Sequence, residues 1–216
     1  MKKIVACTAV LLWATVAQAT ITVLDNFEVD EGHFYLQPTF SGSTSGVLLS
    51  STADRVTTEA YDGIGSQALV LLDDPAATGW NVRHLSGGGS PGNNVALAAS
   101  GITGYYLKTS TPGLTTRPGI DDGAAGGTER GVAKPVIDDG AWHLYTWNFS
   151  DPADWDSWVG ASNGQIDGPT VTYDAVWISS ATDQDATVYF DYLYAPEPAS
   201  LALLCLGGLV AVRRRR

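Results

Sequence analysis

Between Thr20 and Ala195 the chain holds no apolar stripe in helical step. Short runs of alternating apolar and polar residues recur instead, separated by Gly, Pro, Asn and Asp. This pattern restricts the segment to antiparallel strands joined by turns, and many short strands of this kind pack as two sheets around one core. The expected strands lie at Thr22–Glu28, Val47–Ser51, Ala68–Leu72, Gly79–Leu85, Val95–Ala99, Thr103–Thr109 and Leu114–Ile120, and most clearly at Trp142–Phe149, Val171–Ser179 and Val188–Tyr194. Alternation places His143, Tyr145, Trp147 and Phe149 on one face, Val171, Tyr173, Ala175 and Trp177 on another, and Val188, Phe190, Tyr192 and Tyr194 together with Asp191 opposite. Trp142, Trp147 and Trp177 are assigned to the core. Asp151-Pro152 reads as the start of a short helix with Trp155 and Trp158 on one face. Gly87–Asn94 and Asp121–Gly127 read as glycine-rich loops. The expected fold class is all-β, a two-sheet antiparallel sandwich, with a signal helix before it and a short hydrophobic helix after it.

The two ends are of a different kind. Met1-Lys2-Lys3 is followed by an apolar run from Ile4 to Val16 and then Ala17-Gln18-Ala19. A positive start, an apolar middle and a small-x-small site make a secretory signal peptide. The run is short of the about 20 residues that span a bilayer. Signal peptidase is therefore expected to cut between Ala19 and Thr20. At the other end stand Pro196, Glu197 and Pro198, then uncharged and mostly apolar residues from Ala199 to Val212, then Arg213, Arg214, Arg215 and Arg216. Arginines after an apolar segment favour a cytoplasmic C-terminus. These residues closely resemble the PEP-CTERM sorting signal. The resemblance implies a Gram-negative-type bacterium, transient anchoring in the inner membrane, processing near Pro-Glu-Pro by an exosortase-like enzyme, and delivery to the cell surface or extracellular matrix. The chain thus divides into a signal peptide (1–19), a β domain (20–195) and a sorting segment (196–216).

Both cysteines, Cys7 and Cys205, fall in the end segments, so the β domain has no disulfide. Within it six basic residues face 22 acidic ones. Such a balance repels nucleic acid and anionic membranes, and suits neutral sugars or divalent cations. Aspartate outnumbers glutamate 18 to 4 there, which fits turns and oxygen-ligand metal sites. Asp191 stands in a strand, where aspartate is disfavoured, so it needs a cation or a strand-end hydrogen bond.

The order of features is similar to jelly-roll carbohydrate-binding modules of the galactose-binding-like type. Asp25-Asn26-Phe27-Glu28 resembles their first strand and Tyr61-Asp62-Gly63-Ile64-Gly65-Ser66-Gln67-Ala68-Leu69 their Gly-x-x-Ser-Leu strand entry. Trp142–Phe149 with Trp155 resembles their central strand and turn, and Tyr189-Phe190-Asp191-Tyr192-Leu193 their closing strand. Asp139-Gly140-Ala141-Trp142-His143 is similar to a turn of laminin-G-like domains, another jelly roll, which leaves the topology open. The first resemblance implies a structural calcium where first and last strands meet, with Glu28 and Asp191 on the matching positions and Asp25 nearby. Hydrogen bonding at the strand ends is the alternative for the same residues.

No reading of the residues favours catalysis. Gly88-Gly89-Ser90-Pro91-Gly92 fits a nucleophile elbow in letters, but Pro91 lacks the backbone N–H that the oxyanion hole requires. His33, His84 and His143 lack zinc-ligand spacing. Asp73-Asp74, Asp121-Asp122 and Asp138-Asp139 each adjoin Gly or Pro, as turns do. The chain is therefore expected to be a non-enzymatic protein binding an extracellular polysaccharide, uncharged or weakly charged. Its ligand residues would be Trp80, Arg83, Tyr106, Arg117, Trp155 and Trp158. A structural envelope or matrix protein without a small ligand is the second reading, and a glycan-active enzyme the third.

Overall fold

A computed structural model describes residues 21–123 and 127–196. The expected signal and C-terminal helices lie outside the described residues, as do Ala17, Ala19, Glu197, Pro198 and Arg213–Arg216. Among the described residues there are thirteen strands: β1 (Ile21–Asp25), β2 (Thr52–Val56), β3 (Ser66–Leu71), β4 (Trp80–Leu85), β5 (Leu97–Ala98), β6 (Ile102–Thr109), β7 (Leu114–Asp122), β8 (Gly127–Gly131), β9 (Lys134–Pro135), β10 (Trp142–Asn148), β11 (Trp155–Val159), β12 (Thr170–Ser180) and β13 (Ala186–Pro196). They form two sheets. One runs β10-β6-β13-β3-β2, with β1 also on β13. The other runs β11-β8-β7-β12-β4, with β5 on β12 and β9 on β7. Every pairing is antiparallel. The first and last strands pair, Ile21 opposite Pro196.

The inner faces meet in a core dense in rings. Phe190 packs edge-on against Phe27, Phe34 and Tyr105 at 5.0–5.4 Å, and Tyr105 lies 5.4 Å from Trp147. Buried hydroxyls need partners, and here they find them across the sandwich. Tyr105 from β6 bonds Thr116 of β7 at 2.8 Å, and Tyr173 of β12 bonds Thr103 of β6 at 2.6 Å. His84 of β4 bonds Gln67 of β3 at 2.8 Å.

Two bulges redirect side chains. In β12 the register shifts between Tyr173 and Ala175. Val171 and Tyr173 precede it in the core, and Val176 and Ile178 follow it there. Ala175 and Trp177 are thereby turned to the outer face, where they pack with Leu85, Leu36 and Trp158. In β13 the register shifts between Asp191 and Tyr194, and Tyr192 has φ +51°. Leu193 then takes the core position and Tyr192 does not. One inserted residue inverts the alternation beyond it. This corrects the expected single faces: Trp177 is buried but outside the main core, and Tyr192 and Tyr194 leave the face of Val188 and Phe190. Trp142, also expected in the core, is half-buried against the ring of Tyr61.

Elsewhere the expectation Val47–Ser51 is displaced: Val47 makes a lone bridge with Asp73, and the strand begins at Thr52. Asp121–Gly127 is partly strand, since β7 reaches Asp122 and β8 restarts at Gly127. Asp151 does cap a turn, accepting from the Ala153 N–H at 3.0 Å with Pro152 following. That turn is a single 3-10 turn, Pro152–Asp154, and Trp155 opens β11 instead of extending a helix.

Candidate functional site

Five acidic side chains, four of them buried, bind the backbone of loops. Glu28 accepts from the N–H groups of Ile64 and Gly65 at 2.9–3.0 Å. Glu129 accepts from Asn163 and Gly164 at 2.8 and 2.9 Å. Asp122 accepts from Asp167 and Gly168 at 2.6 and 3.0 Å. Asp191 accepts from Tyr61 at 2.8 Å, Asp62 at 3.2 Å and its neighbour Tyr192 at 2.6 Å. Asp25 accepts from the His33 N–H at 2.9 Å and meets its ring at 3.1 Å. Each carboxylate holds a loop down by its backbone. Gly63 has φ +64°, and a Cβ there would meet the Glu28 carboxylate at 2.4 Å, so this loop closes only with glycine.

Calcium takes six to eight oxygen ligands. Asp25, Glu28 and Asp191 turn their oxygens to N–H donors, and among the described residues no three His, Cys, Asp or Glu side chains gather as metal ligands. Their oxygens bond loop N–H groups, which is the strand-end hydrogen bonding that the sequence left as the alternative.

The expected ligand residues separate into three groups. Trp80 and Trp155 belong to the core, at 3% and 4% exposure. Trp80 donates its indole N–H to the Gln184 carbonyl at 2.8 Å. Trp155 donates to the Asn148 carbonyl at 2.9 Å and stacks on Phe149. Both are corrections: neither ring is available to a ligand. Tyr106 lies on the outer face of the β6–β13 sheet. Arg83, Arg117 and Trp158 come together on the outer face of the other sheet.

That second face carries the candidate site. Arg83 on β4 grips buried Asp174 through Nε and Nη2, one edge of its guanidinium, and its charge lies 4.7 Å from the centre of the Trp158 ring. Trp158 meets Trp177 edge-on at 5.0 Å. Arg130 on β8 approaches the same Trp158 ring at 5.9 Å. Arg117 on β7 reaches Asp156 at 4.0 Å, and burial together with the Arg130 charge lowers its pKa. Gly119 faces Arg130 across the β7–β8 ladder, and its missing side chain leaves room beside Asp174 and the Trp177 indole nitrogen. The next row along the strands is Thr128, Asp121 and Thr172, aligned by register. With Pro91 from a 3-10 turn and Ala96, these three line a cavity of about 350 Å³. Asp121 accepts from the Thr128 hydroxyl at 2.8 Å, and burial followed by the Asp174 charge pushes its pKa up to about 6.

Polar satisfaction singles this face out. Among the described residues, six buried side-chain polar atoms lack a hydrogen-bond partner, and four of them lie here: Asp121 Oδ2, Arg130 Nε, Thr172 Oγ1 and Trp177 Nε1. Buried polar groups are almost always bonded, so a local cluster of orphans marks a place for water or ligand atoms. Sequence reasoning missed Asp121, Arg130, Thr172 and Trp177 as site residues. A faultless alternation count could have grouped Thr172 with Asp121, but the bulge at Asp174 hid Trp177.

Ser90, the serine of the elbow-like pentapeptide, is exposed between two 3-10 turns, Gly87–Gly89 and Pro91–Asn93. No strand-turn-helix presents it.

A family profile described as the PEP-CTERM protein-sorting motif matches residues 195–216. The chain is thus an exported protein carrying an exosortase-type signal for sorting to the cell surface. No curated protein matches it. Among solved structures it is similar to one described under the promiscuous specificity of carbohydrate-binding modules from the β-sandwich superfamily. The TM-score is 0.52 at 9% identity, over 80% of this chain and 61% of that one. The chain therefore spans about three-fifths of that structure. It also aligns with the family 11 carbohydrate-binding module of the cellulosomal cellulase Lic26A-Cel5E of Clostridium thermocellum (TM-score 0.46, 12% identity, 85% and 97% covered). A third is TmCBM61 in complex with β-1,4-galactotriose (TM-score 0.45, 14% identity, 80% and 99% covered). The first likeness establishes the fold as a jelly-roll sandwich of the kind found in carbohydrate-binding modules.

Proposed function

We propose that the protein is a non-catalytic glycan-binding protein of the cell surface, which holds an uncharged saccharide chain on the outer face of the β11-β8-β7-β12-β4 sheet. The observation that carries the reading is the cluster of four orphaned polar atoms beside a half-buried tryptophan and a 350 Å³ cavity. Sugar hydroxyls donate and accept, and this face offers both: a donor on Arg130, an acceptor on Asp121, and either role on Thr172. Cavities of this size are in the range of small-ligand sites. Arg83 and Asp174 neutralise each other, so the face presents hydrogen bonds more than net charge. The fold likeness supports the reading, since the similar structure is described as a carbohydrate-binding module. Further parts of the proposal are cleavage by signal peptidase after Ala19, transient anchoring through the C-terminal segment, and a Gram-negative-type host.

A structural role is the second reading. Leu36 packs on Leu85, Ala175 and Trp177 and covers the β4 side of the same face. A glycan array on the full chain in detergent, followed by calorimetry on each hit, separates the two. Thr172→Ala and Arg130→Ala should each weaken binding about tenfold, as loss of one hydrogen bond near 1.4 kcal/mol would. Absence of binding to every glycan would leave the structural role.

A further inference from the structure

The opposite outer face, on the β10-β6-β13-β3-β2 sheet, has no part in that site and carries its own lattice of rings. Tyr61 stacks on Tyr106 with centroids 3.4 Å apart and planes 15° apart, and their hydroxyls bond at 2.7 Å. Tyr192 meets Tyr61 and Tyr106 at 5.8 and 6.3 Å, Trp142 meets Tyr61 edge-on at 6.3 Å, and Tyr194 lies 6.3 Å from Tyr192. Together with Ile21 and Leu144 the four tyrosines line a cavity of about 350 Å³.

Two features build this face. Tyr61 lies in the connection between β2 and β3, and it is held over the sheet because fully buried Asp191 accepts from the N–H groups of both Tyr61 and Asp62. The same carboxylate accepts from the N–H of Tyr192. Tyr192 itself adopts φ +51°, a conformation bulky residues avoid, at the bulge of β13. Bulges re-aim side chains, and strained positions persist where the surroundings over-determine them. The strain here serves to bring a phenol ring out of the core row and onto the outer lattice.

We propose that this tyrosine face is a second binding site, for an uncharged pyranose chain, so that one molecule can hold a glycan on each of its two sheets. The chemistry of the lining selects this ligand. Stacked and edge-on rings offer apolar area at low conformational cost, and phenol hydroxyls at the rim donate and accept. Asp62 supplies a carboxylate at the rim, and no lysine or arginine lines the cavity. An acidic polymer or an anionic bilayer therefore finds no counter-charge here, and the acidic domain repels both. The surface is concave, whereas self-association would need about 800 Å² of complementary surface on each copy.

The test uses the full chain in detergent and calorimetry with uncharged hexasaccharides: β-1,4-glucan, β-1,4-xylan, β-1,4-galactan and β-1,3-glucan. In an Arg130→Ala/Thr172→Ala background, one binding event should survive. Adding Tyr61→Ala and Tyr192→Gly should weaken it at least tenfold. Glycine suits the positive φ, so this replacement removes the ring and leaves the backbone at ease. In the unaltered chain, the hexasaccharide that binds should slow iodination of Tyr61, a reading independent of any variant's folding. The proposal is overturned if the tyrosine variants bind every hexasaccharide as their parent does, if no hexasaccharide protects Tyr61, or if the tyrosine changes abolish only self-association or vesicle binding. Loss of all binding in the Arg130→Ala/Thr172→Ala background alone overturns it while sparing the first site. Binding that only the tyrosine variants remove sustains it and removes the first site instead.

Discussion

Single residues set the response of this protein to acid, and two of them act in opposite senses. His84 is fully buried against Phe34, with Nε2 on Gln67 and Nδ1 without a partner. Burial drops its pKa from 6.5 to about 3, so the folded molecule keeps it neutral. Unfolding below pH 6.5 takes up a proton that the native state refuses. The contribution of His84 is therefore whole above pH 6.5 and is lost toward pH 3, at ~1.4 kcal/mol per unit. Asp121 runs the other way. Its folded pKa, near 6, exceeds its usual 3.8, so the native state holds the extra proton and Asp121 adds stability as pH falls from about 6 to about 4. A full shift of that size is worth ~3 kcal/mol; partial exposure reduces the expectation to about 1 kcal/mol. Denaturant melts at pH 7.5 and pH 5 should show His84→Gln losing less stability on acidification than the parent, and Asp121→Asn losing about 1 kcal/mol more. Parallel pH dependence in all three proteins would refute both assignments. Asp121 protonation also converts an orphaned acceptor into a donor at the proposed site, so saccharide affinity should change between pH 7 and pH 5 in the parent and stay level in Asp121→Asn.

At the scale of elements, anchoring by carboxylates and redirection by bulges decide what each strand presents. Because loop amides fill the oxygens of Glu28 and Asp191, excess EDTA should leave the melting temperature unchanged; a clear fall, reversed by calcium, would show that these oxygens do hold a metal. Glu28→Ala should instead speed hydrogen exchange at the Ile64 and Gly65 amides, by freeing the loop. The tryptophans divide sharply. Trp80→Ala and Trp155→Ala should each cost about 3–5 kcal/mol in denaturant unfolding, as large core truncations do, while Trp158→Ala should cost far less. The sandwich, and the strands over Trp80–Leu85, Ile102–Thr109 and Trp142–Asn148, could be read from alternation because each keeps one register. β12 and β13 could not, since a bulge spends one residue without changing the letters around it, and Trp177 and Tyr192 changed sides unseen. Trp155 was misread for another reason. Asp151-Pro152 opens a 3-10 turn and an α-helix with the same residues, and the strand pairing of Trp155 with Gly131 was non-local. The orphaned polar atoms depend on which neighbours fail to arrive, which no single sequence states.

For the whole molecule, topology governs both folding and use. β13 sits between β6 and β3 and also pairs with β1, so the sheet is complete only when the two ends of the domain have met. Such non-local pairing places refolding in the range of milliseconds to seconds, and a microsecond phase by stopped-flow or temperature jump accounting for the full amplitude would contradict it. The central position of β13 has a further, mechanical consequence. The residues that match the sorting motif, 195–216, continue β13 in the chain, so a pull on the C-terminal end enters the domain through that strand. Ladder hydrogen bonds lie across an antiparallel strand, and a force along its axis shears them together instead of peeling them one by one. A strand with partners on both sides shares such a load over two ladders. A load entering there is thus borne by a strand paired on both sides.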